Sequence, residues 1–283
     1  MVLKLFGRRL RHKSFTFPIE HDVRIEGELA DYQVLWAFVR DHERDPAFQL
    51  SLSLLKPGDV ALDVGANVGL WALPAARLVG SHGSVHAFEP IPGTMQRLRR
   101  NISYNRLEAS IHCVGAALCD RNGQITLYEA DAAASYNSGG AGVLRRPGAD
   151  SPVKVNALRL DTYSKQARLD RIDFLKVDVE GAELAVFRGA SETLSGEAAP
   201  AIMFELDSSL SGALGCRAVD VKRFLADRGY QIFAPTGRGL IPVAVEGEHA
   251  HEDLFALKAR HMESLGRIKR SQRARSVERG FGG

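Results

Sequence analysis

The sequence predicts a doubly wound α/β fold with a mostly parallel sheet, an antiparallel strand at one edge and an N-terminal helical extension. Two observations carry that prediction. From Val60 onward, short runs of continuous apolar residues alternate with stretches of helical period, as in strands buried on both faces and joined by helical crossovers. Near the C-terminus the crossover disappears: residues 238–253 are too rich in glycine, proline and acid for a helix, so the last strands must reverse direction. At 283 residues the chain is long enough for one large α/β domain with added elements.

Taken in order, residues 31–55 read as helical, with Val34, Leu35, Phe38 and Val39 at helical spacing, a break at Asp45-Pro46 and a stop at Lys56-Pro57-Gly58-Asp59. Strand candidates follow at 60–64, 84–89, 111–117, 124–129, 153–160, 173–179, 201–206, 230–234 and 254–258. Helices fit at 70–78, 94–105, 182–193 and 216–228. Residues 131–152, rich in Gly, Ala and Ser, interrupt the body over a length that suits a lid or substrate loop. Three segments result: a basic and helical extension at 1–57, the main domain at 58–259, and a basic tail at 260–283 that is expected to be disordered.

The net charge of +3 is unevenly spread. Residues 1–13 hold five Lys/Arg and no acid, and residues 260–283 hold seven against two acids, so each end contributes +5 and the body 14–259 is left at −7. Such ends could touch nucleic acid, anionic lipid at a membrane surface or an acidic partner. The acidic body shows no aromatic-interleaved basic face, which argues against nucleic acid as the ligand. No apolar run approaches the ~18 residues that cross a bilayer, so a cytoplasmic protein without a transmembrane segment is expected. Cys113, Cys119 and Cys216 have neither CxxC nor metal-ligand spacing and read as reduced thiols.

The chemistry begins at VALDVGANVG, residues 60–69, a strand running into a tight turn that opens a helix. Gly65 lets the backbone bend and a ligand approach, and Gly69 lets the helix pack on the strand. In open α/β sheets the ligand lies at the carboxyl ends of the strands, where this turn falls. The next strand ends in Glu89, whose two oxygens can accept from both hydroxyls of a ribose. Together these indicate a nucleoside cofactor. The dinucleotide pattern GxGxxG is absent, because Ala66, Asn67 and Val68 separate Gly65 from Gly69 and no second glycine clears room for a pyrophosphate. Asp63 adds a charge that repels phosphate but suits the sulfonium and ammonium groups of S-adenosylmethionine.

Four stretches, VALDVGANVGLWALPAA, VHAFEPIPGTMQRLRRNISYN, IDFLKVDVEGAELAVFRGASETL and PAIMFELD, resemble in order and spacing the FkbM family of S-adenosylmethionine-dependent methyltransferases. The resemblance implies a class I methyltransferase fold with a seven-stranded sheet, and methylation of hydroxyl oxygens on sugars, glycolipids or polyketides. It further implies that Asp63, Gly65, Asn67 and Gly69, with Ala66 between them, shape the methionine pocket and that Glu89 holds the ribose. The strand end at 114–117, including Ala116, would line the adenine through backbone atoms. That segment departs from the pattern in having no acid before Asp120.

A second site lies in FLKVDVEGAE, residues 174–183. Alternation along a strand puts Phe174, Lys176, Asp178 and Glu180 on one face and Leu175, Val177 and Val179 on the other. An unpaired buried charge costs several kcal/mol, so Lys176 and Asp178 should pair with one another or with neighbours, which by itself could serve only to fix the sheet's register. Asp178 and Glu180 fall where a transferred methyl group must point, and the following strand brings Glu205 to the same rim, with Asp207 two residues on. Lys176, Asp178, Glu180 and Glu205 are therefore the candidate catalytic residues. The carboxylates could take a hydroxyl proton, hold a divalent metal, or hydrogen-bond a polyhydroxylated acceptor. With no His or Asn in a ligand pattern, metal is not favoured and no metal ligand is assigned. Glu183, one turn into the next helix, is explained by the helix dipole.

The function expected from the sequence is an S-adenosylmethionine-dependent O-methyltransferase acting on a sugar-containing, glycolipid or polyketide-like small molecule. The alternatives are an RNA methyltransferase that uses the basic ends and a non-catalytic protein that keeps the S-adenosylmethionine fold. An NAD oxidoreductase ranks behind all three.

Overall fold

A computed structural model describes residues 14–28, 34, 45–129, 142–143, 151–237, 239–246 and 251–263. The strands are β1 (Ser14–Ile19), β2 (Val23–Glu28), β3 (Val60–Val64), β4 (Ser84–Phe88), β5 (Ile111–Val114), β6 (Ala117–Leu118), β7 (Gly123–Glu129), β8 (Ser151–Leu158), β9 (Phe174–Val177), β10 (Ala201–Asp207), β11 (Gln231–Thr236), β12 (Gly239–Pro242) and β13 (His251–Leu257). The helices are α1 (Pro46–Ser53), α2 (Ala72–Val79), α3 (Pro92–Tyr104), α4 (Leu160–Gln166), α5 (Glu183–Gly189), α6 (Ser208–Ala213) and α7 (Ala218–Ala226).

The central sheet has the order β12-β11-β13-β10-β9-β3-β4-β5. Strands β5, β4, β3, β9 and β10 are parallel, and β13 runs antiparallel between β10 and β11. The reversal expected near the C-terminus is present: β13 lies antiparallel between β10 and β11, and the edge strand is antiparallel to its neighbour as well. The edge itself is β12, a short hairpin partner of β11 that ends in Pro242 and adds an eighth strand to the seven expected.

Alternate residues along the strands feed two cores. Ala61, Phe174, Met203 and Phe255 pack with residues of α1, α2 and α3, such as Phe48, Leu73 and Leu98, on one face. Leu62, Leu175, Phe204 and Leu254 pack with residues of α4, α5 and α7, such as Leu160, Phe187 and Val221, on the other. This is the double cover that continuous apolar strands require.

Three expectations change. The candidates at 124–129 and 153–160 form strands but not central ones: β7 and β8 join β6 in a separate three-stranded sheet of order β6-β8-β7. The run 111–117 breaks in two, because the chain turns after Val114, whose carbonyl accepts the N–H of Ala116. The N-terminal extension is in part a β-hairpin, β1 with β2, where no strand was expected. Its turn places His21 and Asp22 at φ 55° and 56°, two consecutive left-handed residues of the kind tight hairpins need, but without a glycine to announce it.

Helix α3 covers the outer edge of β2. Asn105 accepts from the Arg24 N–H at 2.8 Å and donates to the Arg24 carbonyl at 2.7 Å, and Asn101 does the same for Glu26 at 2.8 and 3.3 Å. Two side-chain amides one helical turn apart thus take the place of a further strand at an open edge. The Asp45-Pro46 break proves to be a helix start, since the Asp45 carboxylate accepts from the N–H groups of Ala47 and Phe48. The helical stretch at 31–44 except Val34, most of the loop 131–152, and the basic ends except 260–263 lie outside the described residues. Among the described residues no helix is long and apolar enough to cross a membrane.

Candidate active site

The strand order switches direction between β3 and β9, the position at which open α/β sheets bind ligands. The turn after β3 is pressed against the end of β9: at Gly65 (φ 83°) a Cβ would lie 1.9 Å from the Asp178 carbonyl oxygen, so only glycine fits. The turn is tied to β4 as well, with the N–H groups of Gly65 and Ala66 both donating to the Phe88 carbonyl at 3.0 Å. Gly69 serves packing instead, since a Cβ there would meet Leu73 and Leu98.

A cavity of about 660 Å³ opens at the carboxyl ends of β3, β4 and β9 and continues under the three-stranded sheet. Of the residues singled out in the sequence, Gly65, Asn67, Glu89, Ala116, Asp178 and Glu180 line it. Asp63, Ala66, Gly69, Lys176 and Glu205 lie behind this lining. Gly142 and Val143, from the loop flagged as a substrate loop, also face the cavity.

Glu89 is 6% exposed, and its two oxygens accept from the N–H groups of Ile91 (2.8 Å) and Asn67 (3.1 Å). Burial raises its pKa to about 7, and those two N–H bonds hold the rise down. Asn67 reaches this position with φ 48°, a left-handed conformation that asparagine tolerates.

Behind the rim, charged side chains form a connected row. Lys176 Nζ lies 3.2 Å from Asp63 Oδ1 and 3.3 Å from Asp178 Oδ2. Burial alone would lower the Lys176 pKa, but the two carboxylates outweigh it and hold the ammonium above its usual range. Asp63 is fully buried and points at Lys176 rather than at the cavity, which differs from the expected contact with the cofactor. The internal pairing expected of Lys176 is thus present and doubled.

Strand β10 brings Glu205 alongside, since Phe204 is in register with Val177. Burial first, then the negative charge and hydrogen bond of Asp178, and then Glu180 and Asp253, push the Glu205 pKa from 4.5 to about 10. At neutral pH Glu205 is therefore a carboxylic acid that donates to Asp178. Two neighbouring acids differ from expectation. Asp207 caps α6 by accepting from the Ser209 and Leu210 N–H groups. Glu180 does not continue the strand's alternation, because β9 ends at Val177 and Glu180 adopts φ 56° in the turn before Gly181. That turn, and not strand pleating, aims it at the cavity. Glu183 stands in the first turn of α5, accepts from the Gly181 N–H at 3.0 Å, and is raised to about 7 chiefly by burial.

Sequence reasoning missed part of the lining. Cys119, Cys216, Arg121, Lys154 and Arg188 face the cavity from four separate elements and connections. No spacing links them in sequence, so only the fold could have assembled them. Among the described residues, no group of three His, Cys, Asp or Glu is placed to hold a metal ion.

Residues 63–232 match the family model described as the methyltransferase FkbM domain. The 2-O-methyltransferase NoeI of Sinorhizobium fredii is 31% identical over 159 residues, which cover 52% of this chain and 63% of that protein. The 31-O-demethyl-FK506 methyltransferase FkbM of Streptomyces tacrolimicus is 29% identical over 163 residues, covering 49% and 62%. The hexuronic acid methyltransferase AglP of Haloferax volcanii is 26% identical over 146 residues, covering 52% and 56%. The chain therefore spans less than two thirds of the length of each of these relatives.

Proposed function

Because the chain belongs to the FkbM methyltransferase family, we propose that it moves a methyl group from S-adenosylmethionine to a hydroxyl oxygen of a sugar-containing, glycolipid or polyketide-like small molecule. The observation that carries this reading is the meeting, in one cavity, of the Glu89 carboxylate with the rim carboxylates Asp178 and Glu180. Two of the relatives are named for transfer to oxygen and one for an acidic sugar.

The residues present fit the donor. Glu89 is a buried carboxylate already oriented by two N–H groups, which suits a ribose diol, with Phe88, Ile91 and Leu118 as apolar neighbours in the same lining. Gly65 and Asn67 would border the methionine end, and Ala116 the adenine. When bound, S-adenosylmethionine supplies an electrophilic methyl group on a sulfonium, and the hydroxyl oxygen that takes it must lose its proton.

Asp178 takes that proton, and Glu180 accepts a hydrogen bond from the acceptor and fixes its orientation. Lys176 and Glu205 hold the Asp178 carboxylate from behind, so it faces the cavity in one orientation. Lys176 and Glu205 are thus positioning residues. The three-stranded sheet contributes residues to the cavity lining, and Asp178 and Glu180 are partly exposed.

The test is Asp178→Asn. Turnover should fall on the order of 10²–10⁴-fold while S-adenosylmethionine affinity, read by titration calorimetry, stays close to wild type. Unchanged turnover would remove Asp178 from the chemistry, and no S-adenosylmethionine binding by the folded wild-type protein would sink the whole reading.

A further inference from the structure

The cavity lined by the rim carboxylates is also lined by basic side chains. Lys154 on β8, Arg188 in the last turn of α5 and Arg121 after β6 reach the same cavity from three places in the chain. Asp120 lies 3.4 Å from Arg121 and offsets its charge. Lys154 and Arg188 are exposed and make no ion pair among the described residues. These cations run against the charge of the body, which is −7 over residues 14–259. The cavity lining therefore carries both signs of charge, Asp178 and Glu180 together with Lys154 and Arg188.

A field of this kind orients a ligand that is itself polarised. A neutral acceptor would gain little from it. An acceptor with an anionic group would be drawn to Lys154 and Arg188 and repelled from the rim, which leaves its hydroxyl against the carboxylates. The Arg188 guanidinium offers a planar fork that matches a carboxylate or phosphate, and Lys154 adds a compact charge to the same lining.

We infer that the acceptor carries an anionic group, a carboxylate or a phosphate, which Lys154 and Arg188 bind while its hydroxyl lies against Asp178 and Glu180. This rests on the methyltransferase reading and narrows its substrate class. The same placement makes Lys154 and Arg188 specificity-determining residues.

The experiment saturates the protein with S-adenosylhomocysteine and titrates D-glucose, D-glucuronate and D-glucose 6-phosphate in turn. At least one anionic sugar should bind about tenfold more tightly than glucose, the scale of two solvent-accessible charge pairs, and less tightly as salt rises. The stronger of the two tells carboxylate from phosphate. The double variant Lys154→Ala/Arg188→Ala should lose this preference and bind S-adenosylhomocysteine as wild type does. Equal binding of glucose, no binding of either anionic sugar, or an unchanged preference in the variant overturns the inference. Weaker S-adenosylhomocysteine binding by the variant overturns it too, because the cations would then serve the donor. Failure of the wild-type protein to bind S-adenosylhomocysteine is a separate result that removes the methyltransferase reading and this one with it.

Discussion

Replacing Glu205 by glutamine separates a protonated carboxyl from an ionised one, and it can be read without knowing the acceptor. Glu205 faces Asp178 and Glu180 from β9 and its turn, and Asp253 from β13, while Lys176 is bonded to Asp178. Burial and these negative charges carry its pKa from 4.5 to about 10. Across that window the native state holds a proton that the unfolded chain has lost. The stabilisation is complete below pH 4.5 and is lost as pH rises toward 10, at about 1.4 kcal/mol per pH unit. From pH 5 to pH 7 this integrates to nearly 3 kcal/mol, or about 2 kcal/mol after allowance for partial solvent screening. Glutamine has no such proton to lose and still offers an N–H to Asp178. The stability of Glu205→Gln relative to wild type should therefore grow by about 2 kcal/mol between pH 5 and pH 7. Urea unfolding of both proteins at pH 5, 6, 7 and 8 measures it, and titrations common to both cancel in the difference. Parallel stability curves would mean that Glu205 is ionised in the fold and would refute the reasoning.

Other consequences are as specific. Glu89, raised to about 7 by burial, accepts best when ionised, so S-adenosylmethionine affinity should fall as pH drops below 7, by up to about tenfold per unit. Glu89→Gln should abolish that pH dependence and weaken binding about 10- to 100-fold, both read by calorimetry between pH 6 and 8. Gly65→Ala forces a Cβ to 1.9 Å from the Asp178 carbonyl, so its melting temperature should drop by the equivalent of about 3 kcal/mol. Asn105→Ala removes both bonds to Arg24 and should cost about 1–3 kcal/mol in denaturant unfolding; a neutral result would show that α3 does not hold the hairpin.

The parts of the fold that were legible are those where local pattern and burial agree. Strand β3 and the acids at the ends of β4, β9 and β10 stand out because a charge at the tip of an apolar run has few explanations. Less legible was what depends on neighbours distant in sequence. Asp63 looked like a cofactor contact from its place before the glycine turn, yet Lys176 from β9 meets it inside the protein. Alternation could not follow Glu180 past Val177, because a left-handed turn intervenes. The apolar pattern of β7 and β8 identified strands but not their sheet, since pairing partners are chosen by register and not by hydrophobicity. Helices α4 and α6 went unpredicted; each is under eight residues and is held by a carboxylate, Asp161 receiving N–H groups of Glu192 and Thr193, and Asp207 capping α6. The basic residues of the lining could be grouped only once β8, α5 and the turn after β6 were brought together.

The central claim, methyl transfer to a hydroxyl oxygen at the Asp178 rim, is tested most directly by the chemistry of the labelled product. The protein is incubated with S-adenosylmethionine labelled in the methyl group and a cell extract that supplies the acceptor, and the product is treated with mild alkali. The expected label is a methyl ether on a small molecule, stable to alkali and missing from the Asp178→Asn reaction. Label released by alkali as from a methyl ester, label in RNA, or label undiminished in Asp178→Asn would contradict the account.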